Sequence, residues 1–196
     1  MSRTARRPIE PDLEISAIAR AGKAVKGLLV RCGGIALMFL AVMLWLAVAS
    51  FSINDPSFNT ATAREVQNLA GPIGASMADI LLQLLGGGAL LLPVPLAVWG
   101  WDAVRYGAPD ETGLRAWAKL FAWIGGFLAM AGFAGGLPLT ADWPFLVSMG
   151  GLAGGGLSDL LSWPLRAIGI PGAVMISCVI WLAISAWLSG FAAGVT

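Results

Sequence analysis

Long apolar runs alternate with short polar segments along this chain, and the runs have the length of membrane-crossing helices. A hydrocarbon core about 30 Å thick requires roughly 20 apolar helical residues. Three runs meet that length with at most one charged residue each: residues 27–51, 117–137 and 170–193. A fourth span is predicted over residues 86–104, where Pro93 and Pro95 each remove a backbone donor and bend the helix. The pattern predicts an all-α integral membrane protein with four transmembrane helices over residues 27–195.

Two glycine-containing segments precede the second and fourth spans and repeat one another. The first is NLAGPIGASMADILLQLLGGG, from Asn68, and the second is GLAGGGLSDLLSWPLRAIG. The positions that recur with the same spacing are Gly71, Gly74 and Asp79 in the first copy and Gly151, Gly154 and Asp159 in the second. Pro72 suits the first turn of a helix, and apolar and polar residues fall on opposite faces in both copies. We therefore predict two tandem hairpins, each with a short amphipathic helix before its returning span.

Basic residues collect on one side of the predicted bundle. Ten of the twelve lie in residues 1–31 and 102–119, and only Arg64 and Arg166 lie in the other two connections. Because cytoplasmic loops carry an excess of lysine and arginine, both termini and the middle loop are predicted to be cytoplasmic. The two amphipathic helices would then lie on the outer side of the membrane.

Residues 1–26 form a basic cytoplasmic segment ahead of the first span. An apolar stripe that begins near Asp12 is flanked by Arg20, Lys23 and Lys26. This pattern predicts a juxtamembrane helix on anionic lipid, to which each basic residue contributes on the order of 1 kcal/mol. Contact with nucleic acid is the alternative, but three acidic residues in the same segment weaken it, and we predict no direct nucleic-acid binding.

The residue types that carry most enzyme chemistry are scarce. Histidine is absent, which removes the commonest general base and the commonest metal ligand. No GxxxxGK[ST] phosphate-binding loop occurs. Cys32 and Cys178 have no neighbours that would form a metal or redox motif, so we interpret them as small apolar residues. We predict no catalytic residue, no cofactor, no metal site and no enzymatic activity in this chain.

The remaining candidates are structural or partner-binding residues. Asp55 and Pro56 lie in the first outer connection, and both residue types strongly favour a turn. The four repeated glycines permit close approach of backbones, either in dimerisation or in packing within the chain. The repeated acids, Asp79 and Asp159, are interpreted either as solvated or helix-locking carboxylates or as a proton or cation site. Pro72 is the last of these structural or partner-binding candidates.

The order of these parts resembles the N-terminal four-span domain of the FtsK/SpoIIIE family of bacterial DNA translocases. The resemblance rests on SFSINDPSFN, NLAGPIGASMADILLQLLG and LLPVPLAVWGW, followed by GGLAGGGLSDLLSWPLRAIGIPGA before the last span. It implies a multi-pass domain of the bacterial inner membrane, with its amphipathic helices on the periplasmic side. It also implies that this domain anchors the translocase, takes it to the division septum and binds other proteins of the divisome.

The same resemblance implies a longer parent whose ATPase motor moves chromosomal DNA during chromosome partition. This chain is similar only to the membrane part of that parent. The resemblance also implies a homo-oligomer, which would be a hexamer if the motor is attached. A small polytopic transporter or channel subunit is the alternative function, because the chain has an internal repeat and a proline-broken span. The repeat is a parallel one, and the predicted spans lack ionisable residues that would bind ions.

Overall fold

The computed structural model describes residues 11–59, 61–107, 113–141, 143–145 and 147–194. Its helices are α1 Pro11–Ala49, α2 Gly71–Leu85, a 3-10 helix Gly86–Leu91, α3 Pro93–Tyr106, α4 Leu114–Gly135, α5 Gly151–Ala167 and α6 Ala173–Ala193. No strand occurs within those described ranges, so the predicted all-α class is confirmed. Within the described part of the chain, four helical stretches are long and apolar enough to cross a membrane, which is the predicted number: Ala17–Ala49, Gly71–Leu91, Leu114–Gly135 and Ala173–Ala193.

The second of these stretches differs from the second span expected at residues 86–104. It combines α2 with the 3-10 helix, whereas α3 alone has 14 residues and is shorter than the roughly 20 that a membrane requires. The chain changes from α to 3-10 geometry at Gly86, which has a φ of 51°. From Gly71 to Tyr106 the chain is thus a series of three short helices.

The first hairpin pairs α1 with the 3-10 helix and α3 in antiparallel fashion. Near one end, a Cβ added to Gly34 or to Gly100 would lie 2.6 Å from the carbonyl oxygen of the other glycine. Further along, Leu44 and Leu96 share a buried apolar cluster. The two backbones are therefore in direct contact at the glycine crossing, which is the way small residues bring membrane helices together.

The second hairpin pairs α4 with α6 along their whole length. Gly126 accepts a hydrogen bond from Ser185 Oγ at 2.8 Å, and a Cβ added to Gly132 would lie 3.0 Å from the indole ring of Trp181. The glycines of α4 therefore serve packing within the chain. Trp99 joins this hairpin to the first, because its indole nitrogen donates to the carbonyl of Ala192 at 2.9 Å.

Helix α1 is much longer than the bundle it belongs to. Its 39 residues span about 58 Å at 1.5 Å per residue, nearly twice the thickness of a hydrocarbon core. The predicted juxtamembrane helix and the predicted first span are parts of this one helix. The boundary expected between residues 26 and 27 falls inside it.

Tryptophan side chains donate to backbone carbonyls at the proline break before α3. Leu90 lies in the 3-10 helix, where each carbonyl accepts from the N–H three residues later, and that position is Pro93, which has no N–H. The indole of Trp45, from α1, donates to the carbonyl of Leu90 at 3.0 Å. The indole of Trp123, from α4, donates to the carbonyl of Leu92 at 3.1 Å. The break is thus held by both hairpins.

We expect Trp123→Phe to destabilise the fold, because it removes this donor along with part of the ring that packs edge-on against Trp99. Loss of one such hydrogen bond costs about 1 kcal/mol, and more if the carbonyl stays buried without a partner. Trp101→Phe is the control, since Trp101 is exposed. Reversible unfolding in mixed micelles measures both variants, and equal stabilities would contradict the role given to the Trp123 indole.

Candidate partner-binding surface

Each hairpin has one connection between its helices, residues 50–70 in the first and 136–150 in the second. These two connections form one end of the bundle, which is called the connector end here. The two connections meet through stacked rings of Phe51 and Phe145, with centroids 5.4 Å apart. Trp143 packs edge-on against Phe145 at 5.8 Å. Beside these rings lies an apolar groove of about 360 Å³ that is lined by Ile53, Leu90 and Trp143. Both hairpins therefore contribute to one surface at this end.

The repeated glycines give α2 and α5 the same starting geometry. Gly71 and Gly151 are the first residues of these helices and have φ values of 72° and 68°. Their N–H groups donate to the carbonyls three residues earlier, Asn68 at 2.9 Å and Ser148 at 2.8 Å. Glycine adopts this left-handed conformation at no steric cost. The sequence repeat is therefore a repeated structural element.

The second glycine of each copy packs against the preceding structure. A Cβ added to Gly74 would lie 2.7 Å from the side-chain oxygen of Asn68 and would collide with Ala70. At Gly154 an added Cβ would collide with the backbone carbonyl of Ala131 in α4. In both copies, the absence of a side chain lets the new helix pack back on the end of the preceding span. Pro72 lies exposed in the first turn of α2.

The two copies also touch each other. The N–H of Gly87 donates to the carbonyl of Met149 at 2.8 Å, just ahead of α5. A Cβ added to Gly151 would lie 2.7 Å from the backbone nitrogen of Gly86. The end of α2 is thus fixed against the start of α5. The connector end is therefore tied together by backbone contacts as well as by aromatic packing.

Asp55 anchors the first connection. Its carboxylate is buried and accepts from the backbone N–H groups of Gln67 at 3.0 Å and Asn68 at 2.9 Å. Asn68 in turn donates from its side chain to the carbonyl of Ala47 at 2.7 Å, at the end of α1. The half-buried Pro56 follows the anchor. The pair expected to form a simple turn therefore closes the whole connection onto α1.

The two repeated acids occupy different environments. Asp79 is 4% exposed, and its two oxygens accept from Ser57 at 2.7 Å and from Gln83 at 2.6 Å. Asp159 has a side chain that is 75% exposed and lies 3.8 Å from Arg166. Asp79 therefore ties α2 to the first connection, whereas Asp159 lies on the exposed side of α5. The two equivalent sequence positions make different contacts.

Sequence analysis missed Asn68 and Ser57, which complete the anchoring of the first connection. A usable signal existed for Asn68. The repeat extends backwards to Ser148, and both polar residues stand three positions before a glycine that begins a helix. Ser57 offered no such signal, because its partner lies 22 residues away.

Comparison with known proteins identifies the family. The family model described as the 4TM region of DNA translocase FtsK/SpoIIIE matches residues 27–195. The chain belongs to this family. Its proposed connector end, with the Asp55 anchor and both glycine copies, falls entirely within the matched region.

Individual relatives agree with the family assignment. The chain is similar to DNA translocase FtsK of Caulobacter vibrioides, 32% identical over 83% of this chain and 20% of the relative. It is 33% identical to DNA translocase FtsK of Bradyrhizobium diazoefficiens over 72% of this chain and 16% of the relative. The chain thus spans about a fifth or less of the length of these curated relatives. No solved structure matches it.

We expect Gly154→Ala to weaken the packing of α5 on α4, since the new methyl group would meet the backbone of Ala131. Overpacking of this kind costs about 1–3 kcal/mol. Gly156→Ala is the matched control in the same helix, because a Cβ there meets nothing within 4 Å. Thermal unfolding in detergent compares the two, and a Gly154→Ala variant as stable as the Gly156→Ala variant would refute the close approach.

We expect Asp55→Ala to release the first connection, because two backbone N–H groups lose a charged acceptor. Each such bond is worth about 1.5–3 kcal/mol, so tryptic cleavage after the exposed Arg64 should accelerate at least about tenfold. Asn54→Ala, at an exposed neighbouring position, is the control. Mass spectrometry of the fragments measures the rate, and unchanged cleavage would mean that Asp55 does not anchor this segment.

Proposed function

We propose that this chain is the membrane-anchoring and septum-targeting domain of a cell-division DNA translocase. The observation that carries the proposal is the family match over residues 27–195, joined to four helices of membrane-spanning length. The matched relatives are named DNA translocases, and this region is a fifth or less of their length. ATP-driven movement of DNA is therefore assigned to the remainder of a parent protein, and this chain acts through protein contacts in the inner membrane.

The proposed topology puts the connector end in the periplasm and both termini in the cytoplasm. The distribution of basic residues supports it, because the connector end and its helices carry only Arg64 and Arg166. The proposed second crossing is the 3-10 helix plus α3, which runs antiparallel to α1. Six residues at about 2 Å and fourteen at about 1.5 Å give roughly 33 Å, enough to cross the hydrocarbon. Helices α2 and α5 then lie at the periplasmic interface.

The proposed partner-binding surface is the connector end. Large apolar side chains are exposed in the first connection and in the first turn of α2: Ile53, Phe58, Leu69 and Ile73. Contiguous exposed apolar groups rimmed by polar residues mark interaction sites. Asp55, Asp79 and the glycine contacts hold the surface in one shape, which lowers the entropy lost when a partner binds. We assign the partners to the periplasmic and membrane parts of other division proteins.

A fluorescent fusion of the chain in dividing bacteria tests this function. We expect a band at the septum, and we expect Phe58→Ala to weaken it because the side chain is 81% exposed at the connector end. Tyr106→Ala, exposed at the opposite end, should leave the band unchanged. A uniform membrane signal from the unaltered fusion would reject septal targeting. Equal bands from the unaltered, Phe58→Ala and Tyr106→Ala fusions would mean that Phe58 is not part of the partner-binding surface.

A further inference from the structure

An apolar groove of about 370 Å³ runs between α1 and α3 at the surface of the first hairpin. All seven residues that line it are apolar. Its walls are formed by Ile35, Phe39 and Val42 from α1 and by Trp101 and Val104 from α3. The first four of these side chains are between 48% and 64% exposed. The groove therefore opens outward, away from the buried core of the hairpin.

Two exposed arginines lie at one end of this groove. Arg31 is four residues before Ile35, so it lies one helical turn from it on the same face of α1. Arg105 is four residues after Trp101 and has the corresponding place on α3. Because the two helices are antiparallel, a step back along α1 and a step forward along α3 lead to the same end. The groove therefore has a basic mouth, which is formed by these two arginines.

The basic mouth lies near an edge of the hydrocarbon core. Arg31 is about 27 Å along α1 from Ala49, the residue at which the helix reaches the connector end. Arg105 lies in the last turn of α3. The crossing of Gly34 with Gly100 fixes the two helices in this register, because their backbones are in direct contact there. A core about 30 Å thick therefore ends close to both guanidinium groups.

The charges of the basic mouth are not neutralised by the described part of the chain. Within those residues, neither Arg31 nor Arg105 pairs with a carboxylate. Arg105 lies over the exposed ring of Tyr106, 5.6 Å from its centroid. Asp102 is the acid closest to Arg105 in sequence, but it lies on the side of α3 opposite Val104, away from the groove. Two positive charges therefore remain for a ligand.

Apolar walls below a basic mouth fit the two parts of an anionic phospholipid. Arginine binds phosphate oxygens through parallel N–H bonds, and the groove covers an acyl chain. Basic pockets between transmembrane helices on the cytoplasmic side bind anionic headgroups in this way. A second copy of this chain fits less well. Copies inserted in the same direction would bring their own two arginines to the same depth, where like charges repel.

We propose that α1 and α3 form a binding site for one phospholipid with an anionic headgroup. Its phosphate lies between Arg31 and Arg105, and one of its acyl chains lies in the groove. Under the proposed topology the lipid belongs to the cytoplasmic leaflet. The site is at the opposite end of the first hairpin from the connector end, so lipid binding here does not depend on septal targeting.

Native mass spectrometry of the full chain, with lipid added to the detergent micelles, tests the basic mouth. The probes are phosphatidylglycerol and phosphatidylcholine with identical acyl chains. We expect the unaltered chain to bind phosphatidylglycerol at least about tenfold more tightly, since two basic residues act on its charge. Arg31→Gln combined with Arg105→Gln should remove most of this preference. Lys23→Gln combined with Lys26→Gln is the matched control, because it removes the same charge from α1 ahead of the groove.

A bulkier side chain in the groove tests the place of the acyl chain. Val42→Phe adds a ring to the wall of the groove, so we expect it to weaken the binding of both lipids to a similar extent. Val179→Phe is the control, since it adds the same ring at an exposed position of α6. It should change the affinity for neither lipid. Circular dichroism of each variant confirms that the helices are intact before affinities are compared.

The alternatives give different results in these measurements. Equal affinity of the unaltered chain for the two lipids would overturn the proposal without any variant. An equal loss of preference from the arginine pair and the lysine pair would indicate diffuse attraction to a basic surface, with no site at the groove. Unchanged binding in Val42→Phe would exclude the groove as the place of the acyl chain. Dimers that Val42→Phe separates, with lipid binding unchanged, would assign the groove to a second copy instead.

Discussion

Every backbone N–H and carbonyl in a hydrocarbon core has to find its partner within the protein, because no water reaches it. This chain meets the constraint most severely where two prolines interrupt the return of the first hairpin. The indoles of Trp45 and Trp123 donate to two carbonyls beside that break. One indole comes from the same hairpin and the other from the second hairpin. The proline break is therefore also one of the points at which the two hairpins are joined.

The glycine repeat solves a second problem of the same kind. A chain that leaves a span has to turn and lay a new helix against that span without leaving backbone groups unpaired. Gly71 and Gly151 permit the turn through their positive φ, and their N–H groups are paired locally. Gly74 and Gly154 then permit the close packing. One solution used twice explains why the two hairpins share their glycine spacing while their other side chains differ.

Local pattern predicted the helices well, and long-range contacts account for what it missed. Run length and charge predicted the number of stretches long enough to span a membrane, because the membrane imposes a length on each of them. The second such stretch is α2 with the 3-10 helix, and the span expected at residues 86–104 stays a prediction. The indole bonds were invisible to sequence analysis: Trp45 and Trp123 lie 45 and 31 residues from their acceptors. The burial of Asp55 was missed for a related reason, since a turn motif carries no information about what packs over it.

The different environments of Asp79 and Asp159 bear on the choice between an interaction module and a transporter. A transport site built from a repeat requires ionisable groups that face a common path. Both oxygens of Asp79 are engaged by Ser57 and Gln83, and the carboxylate holds the first connection onto α2. Asp159 lies on the exposed side of α5 beside Arg166. The first acid thus stabilises the first connection and the second lies outside it, an arrangement that fits the proposed interaction module better than a transport site built from the repeat.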